Sequence, residues 1–135
     1  MQLEAKDIFE NMGESDVWLK VQGTSMRPFL RNDRDTVILR KPDRLKIGDI
    51  VVFRRKETYI MHRIIELENG FITTLGDNLR VPEKGIPVEN VCAKVVGAVR
   101  DGKQIDPDSA VWKFFSNIYI KQGVRKMLTK IRSWR

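Results

Sequence analysis

Between Val17 and about Arg100 the chain is a succession of short β-branched runs cut by turn signals, and few folds accept that pattern. The runs are VWLKV (17–21), DTVILR (35–40), DIVVFR (49–54), TYIMHRIIEL (58–67), FITTL (71–75) and VCAKVVGAV (91–99). Between or after them stand Asn32-Asp33, Lys41-Pro42-Asp43, Gly48-Asp49, Asn69-Gly70, Gly76-Asp77-Asn78 and Asp101-Gly102. These residue types turn the backbone. Strands so short and so closely spaced pair with their sequence neighbours. The expected fold is therefore mainly β, with antiparallel sheets folded over or barrel-like.

Helices are expected only at the two ends. Over residues 2–12, Leu3, Ile8, Phe9 and Met12 fall near helical spacing, and Gly13 is a stop signal. From Asp108 the pattern turns helical again, with Asp108 or Ser109 as N-cap. Val111, Trp112, Phe115, Ile118 and Tyr119 form one apolar stripe, and Val124, Met127, Leu128 and Ile131 resume it beyond Gly123. A glycine inside a helix costs about 1 kcal/mol, so a break or kink is expected at Gly123. This divides the chain into a β-domain at 1–107, with its core at 17–100, and a helical tail at 108–135.

Charge separates the same two parts. The net charge of the 135-residue chain is +7, and residues 111–135 hold seven Lys or Arg with no Asp or Glu. The β-domain is neutral, so any electrostatic role belongs to the tail. No apolar run approaches the roughly 20 residues that span a bilayer, and residues 1–10 lack the apolar stretch of a signal peptide. The expected location is the cytoplasm or the periphery of a membrane. Cys92 is the only cysteine, which excludes an internal disulfide and a cysteine-built zinc site. No metal or organic cofactor is expected.

Three segments can carry chemistry. In Gly23-Thr24-Ser25-Met26-Arg27-Pro28 a serine sits in a bend that can expose both its hydroxyl and a backbone N–H. A serine nucleophile needs a base within reach and donors facing the oxyanion; otherwise such a serine is a turn residue. His62, the single histidine, lies in a strand where Ile60, His62, Ile64 and Glu66 share one face and Tyr59, Met61, Arg63 and Ile65 the other. It is either a packed strand residue or a general base. Asp77 and Glu83 are each of the type that orients an imidazole, while Gly-Asp-Asn is equally a turn.

Taken in order, GTSMRP (23–28), GDIVVFR (48–54), YIMHRI (59–64) and GDN (76–78) resemble the type I signal peptidases and their relatives, the self-cleaving repressor domains. The similarity covers about Val21 to Val99. It implies a serine endopeptidase with Ser25 as nucleophile and Thr24, Met26 and Pro28 around the substrate. His62 stands where the family places its base, a lysine in most bacterial members and a histidine in the archaeal and endoplasmic-reticulum branch. Met61-His62-Arg63 is similar to the histidine branch. The acid that follows the Gly-Asp-Asn box in that branch corresponds to Glu83; Asp77 is the box acid, and both remain candidates to orient His62. The implied substrate is an extended peptide or preprotein with small side chains near the cut.

Two departures stand against the resemblance. Many members carry an oxyanion-binding serine two residues before the nucleophile, where this chain has Gly23; losing one such donor costs about 2.7–4 kcal/mol of transition-state stabilisation. The N-terminal membrane anchor of the usual members has no counterpart here either. The tail is a candidate substitute: Trp112, Phe115, Lys121, Arg125, Lys126 and Lys130 suit an anionic membrane surface, unless the apolar stripe packs on the β-domain instead. Nucleic acid is disfavoured, since no DNA- or RNA-binding motif is present. Self-cleavage is disfavoured too: the chain has no Ala-Gly bond, the kind the repressor relatives cut, and no room for a DNA-binding domain before Val17. The alternative from another class is a non-catalytic protein that binds peptides or a membrane surface.

Overall fold

The fold was read from a computed structural model that describes the backbone of residues 3–133 and the side chains of residues 6–125. The elements are α1 (Leu3–Glu10), β1 (Val17–Lys20), β2 (Asp35–Arg40), β3 (Ile50–Arg55), β4 (Thr58–Glu68), β5 (Phe71–Leu75), β6 (Glu83–Pro87), β7 (Val91–Arg100), β8 (Lys103–Ile105) and α2 (Ala110–Ser133). The eight antiparallel strands form one curled, half-barrel sheet. The mainly β expectation holds.

Local chemistry accounts for the connections. The β4–β5 hairpin turns on Asn69 (φ 51°) and Gly70 (φ 81°), and the β7–β8 hairpin on Asp101 (φ 52°) and Gly102 (φ 77°). Two successive positive φ angles define the tight hairpin turn that suits the twist of the flanking strands, and Asn-Gly and Asp-Gly favour it. Strand β7 organises the sheet. One of its edges pairs with β2 from Lys94 to Arg100, and the other is shared between β3 and β8. Strand β3 is buried on both faces. Ile50 and Val52 join Leu39, Val95 and Met26 in one apolar cluster, while Val51 and Phe53 join Ile64 and Ile72 in another.

Among the strand edges left without a partner strand in the described residues, two border the site described below. Strand β1 pairs only with β2. Strand β4 gives residues Thr58–Arg63 to β3 and residues from Arg63 onward to β5, so the β5-side edge of Thr58–His62 is open.

The tail departs from expectation. Ser109 caps α2, its hydroxyl accepting the Trp112 N–H at 3.3 Å. The helix then runs without a break from Ala110 to Ser133. Gly123 does not interrupt it; a Cβ at that position would lie 2.6 Å from Ile65 Cγ2. The glycine lets the helix approach β4 closely, and that packing outweighs its poor helix propensity. Trp112, Phe115 and Tyr119 of the apolar stripe pack on the β-domain, whereas Val111 is exposed. Trp112 is 5% exposed and meets Phe29 edge-on, and Phe115 packs on the same ring. In this packing Trp112 is buried and Phe115 half-buried. Lys113, Phe114, Lys121 and Arg125 occupy the exposed face. The side chains of Lys126 and Lys130 lie outside the described residues.

Candidate active site

Ser25 sits in the turn after β1, and its neighbours fix it there. Met26, Phe29 and Leu30 are each at most 2% exposed. Backbone bonds Arg27 N–H to Thr24 O (3.2 Å) and Leu30 N–H to Met26 O (2.9 Å) wind the segment tightly. Asp35 anchors its far end: the carboxylate accepts from Arg31 N–H, Arg34 and Arg100, and Arg100 also donates to Phe29 O at 2.6 Å. Burial raises the Asp35 pKa, but the hydrogen bonds from Arg100, Arg34 and the Arg31 amide outweigh it and hold the carboxyl below its usual range. Ser25 itself stays half-buried. Among the described residues its N–H makes no backbone hydrogen bond, which leaves a donor for an oxyanion.

The Gly76-Asp77-Asn78 turn holds this segment against β4. Asn78 N–H donates to Ser25 O at 2.8 Å, and Asn78 Nδ2 donates to Thr24 O at 3.1 Å. Gly76 permits the approach. A Cβ there would stand 2.8 Å from Ser25 O and 3.0 Å from His62 Cδ2. The serine backbone and the imidazole therefore meet across a single glycine.

The ring of His62 is buried and set by Glu83. The His62 Nδ1–Glu83 Oε1 distance is 2.6 Å, and Thr74 Oγ1 donates to the same carboxylate oxygen at 2.8 Å. With Nδ1–H given to the carboxylate, Nε2 keeps its lone pair, the tautomer a general base requires. Of the two candidate acids, Glu83 is the one that reaches the imidazole. Asp77 instead forms a bidentate pair with Arg63 (2.8 Å at each contact), and the side chains are 0% and 1% exposed. Among the described residues no hydrogen bond joins the Ser25 hydroxyl to His62. Such contacts commonly close only when substrate is bound.

Gly23 has φ +79° and no atom within 4 Å of an added Cβ. The space would admit a serine, but the backbone lies in the left-handed region, where any side chain is strained. Beside Ser25 opens an apolar cleft of about 280 Å³ between Leu19–Gln22 and Tyr59–Met61, which include the two open strand edges.

A family model described as Peptidase S24-like matches residues 1–100. The chain belongs to the Peptidase S24-like family. No curated protein matches it. The matched span of this Peptidase S24-like chain contains Ser25, His62, Asp77 and Glu83, together with every strand up to β7.

Three contributors escaped the sequence reading. Arg63 is fully buried, and the alternation of β4 already placed it beside Tyr59 and Met61, where a charge needs a partner. Thr74 had no signal beyond its strand. Strand β6, which carries Glu83, was missed because its sequence, EKGIP, holds a glycine and a proline. An edge strand tolerates both, and β6 pairs only with β5.

Proposed function

We propose that this protein is a serine endopeptidase of signal-peptidase type, in the histidine-base branch, acting on an extended peptide or leader. The observation that carries this reading is the His62–Glu83 contact of 2.6 Å beside the Gly76 bridge to the Ser25 backbone. In the proposed reaction His62 Nε2 takes the Ser25 hydroxyl proton as Oγ attacks the scissile carbonyl. Glu83 stabilises the imidazolium. The Ser25 N–H donates to the oxyanion, and His62 returns the proton to the leaving amine. The peptide adds as a strand along the open edges of β1 and β4.

The test compares protein N-termini by mass spectrometry in cells carrying the wild-type protein and cells carrying Ser25→Ala. A set of termini that vanishes in the variant, with one such cut repeated by purified protein, supports the reading. Unchanged N-termini from a folded, expressed variant favour the non-catalytic binding reading, to which Gly23 in place of a serine also points.

A contact with an anionic membrane surface through α2 is a second proposal. It rests on exposed Phe114 between Lys113 and the outward-facing Lys121 and Arg125. Salt-sensitive co-sedimentation with anionic vesicles, abolished by Phe114→Ser, is the expected result. Binding that survives this change and high salt would refute it.

A further inference from the structure

The cleft beside Ser25 has a shape and lining that bear on which peptides it accepts. Its floor is Val37, Leu39 and Val52, each at most 2% exposed. Leu19 and Met61 form its walls. Helix α1 closes one end: Phe9 and Ile8 line the cleft, and the Phe9 ring packs on Tyr59 with centroids 5.2 Å apart. Of these eight side chains only Tyr59 carries a polar group; Lys20, Gln22 and Ser25 line the cleft beside them.

Volume decides what fits. The cleft measures about 280 Å³, whereas a cavity of roughly 150 Å³ already holds a benzene ring. With the peptide main chain along β1 and β4 taking part of that volume, an alanine side chain would still leave Val37, Leu39 and Val52 uncovered. A substrate that leaves such space empty forgoes both dispersion contacts and burial of apolar area.

We propose that the cleft is a specificity pocket for one large apolar side chain, Leu, Ile, Met or Phe, of an extended peptide lying on β1 and β4. This reverses the small-residue preference that the family resemblance implies. It rests on the peptidase reading for the position of the cut, but peptide recognition itself does not depend on catalysis.

The experiment uses full-length protein in two forms. Ser25→Ala protein is panned against a random peptide library, and wild-type protein is incubated with the same peptides, with cuts read by mass spectrometry. Recovered peptides are expected to share Leu, Ile, Met or Phe at one fixed position. Changing that residue to alanine is expected to weaken binding about tenfold or more. Leu19→Trp, at the half-exposed wall, is expected to fill the pocket and abolish binding while its circular dichroism stays native. Should it fail to fold, Phe9→Ala serves instead, and it is expected to extend tolerance to Trp. Peptides selected for alanine or glycine at that position overturn the inference. So does indifference of a folded Leu19→Trp protein, or recovery of no peptide at all. Peptides that bind Ser25→Ala through a large apolar residue, yet are left uncut by wild type, uphold the pocket and overturn the peptidase reading.

Discussion

Arg63 grips Asp77 through two 2.8 Å hydrogen bonds, with both side chains closed to solvent, one residue along β4 from His62. The guanidinium also donates to Gly48 O at 3.1 Å and to Ser116 Oγ of α2 at 2.8 Å, and it lies over the Phe29 and Tyr119 rings. One side chain thus ties together the turn that holds Ser25, the loop before β3 and the C-terminal helix. Removing one partner strands the other as a buried charge. Asp77→Ala is expected to destabilise the protein by about 3–5 kcal/mol in urea unfolding. Adding Arg63→Met to it is expected to recover a large part of that loss; no recovery would mean that the pair is not the dominant contact.

Glu83 separates orientation from stability. Glu83→Gln keeps the side-chain shape but can present an amide N–H to His62 Nδ1, which selects the wrong tautomer. In a serine triad such a change lowers kcat by about 10⁴. A comparable fall in kcat for peptide cleavage is expected here, with little change in the urea midpoint. Full activity in this variant would remove Glu83 from the mechanism.

Gly76 sets the distance between nucleophile and base. In Gly76→Ala the new methyl would stand 2.8 Å from Ser25 O, 2.9 Å from Leu79 Cδ1 and 3.0 Å from the His62 ring. A displacement of about 1 Å can cost roughly 10² in rate, so a loss of that order in kcat is expected. Gly13→Ala is the control, because nothing lies within 4 Å of that position.

Gly123→Ala should lower stability even though alanine is the better helix former. Propensity favours the change by about 1 kcal/mol, but the 2.6 Å clash with Ile65 Cγ2 forces helix and strand apart, at a cost of about 1–3 kcal/mol. A lower melting temperature is expected, partly restored by Ile65→Ala in the same chain. A rise in melting temperature would show that the close approach contributes nothing.

Asp35 gives the fold an acid limit. Its folded pKa is lowered, so the unfolded chain binds its proton first as pH falls. Stability from this carboxylate is complete above the ordinary carboxylate range near pH 4 and is lost as pH drops through the depressed folded value. Urea unfolding measured from neutral to strongly acid pH is expected to show that loss in wild type and a flatter profile in Asp35→Asn. Asp33, whose side chain is 55% exposed, is expected to give a much smaller change when replaced by Asn.

Strand content was legible because alternation and turn chemistry agreed at nearly every step. Asn69-Gly70 and Asp101-Gly102 each marked a hairpin. What stayed hidden was set by tertiary contact. Nothing in EKGIP signals a strand; only the open edge of β5 makes it one. Gly123 reads as a helix breaker until Ile65 is seen opposite it. The choice between Asp77 and Glu83 could not be made from residue type, since both are carboxylates, one within the Gly76-Asp77-Asn78 turn and one shortly after it. It depends on which face of β4 each meets: Arg63 is on one and His62 on the other.

That last arrangement bears on how the sheet finds its pairing. His62 and Arg63 are adjacent and opposite, matched to Val51 and Ile50 of β3. A slip of one residue would turn the guanidinium into the apolar layer of Phe53 and Ile72 and leave Asp77 facing an imidazole. Every side chain of β4 would change sides at once. The pair of unlike neighbours thus acts as a proofreading device for strand alignment: the alignment that satisfies the charge is also the one that delivers the base to the serine.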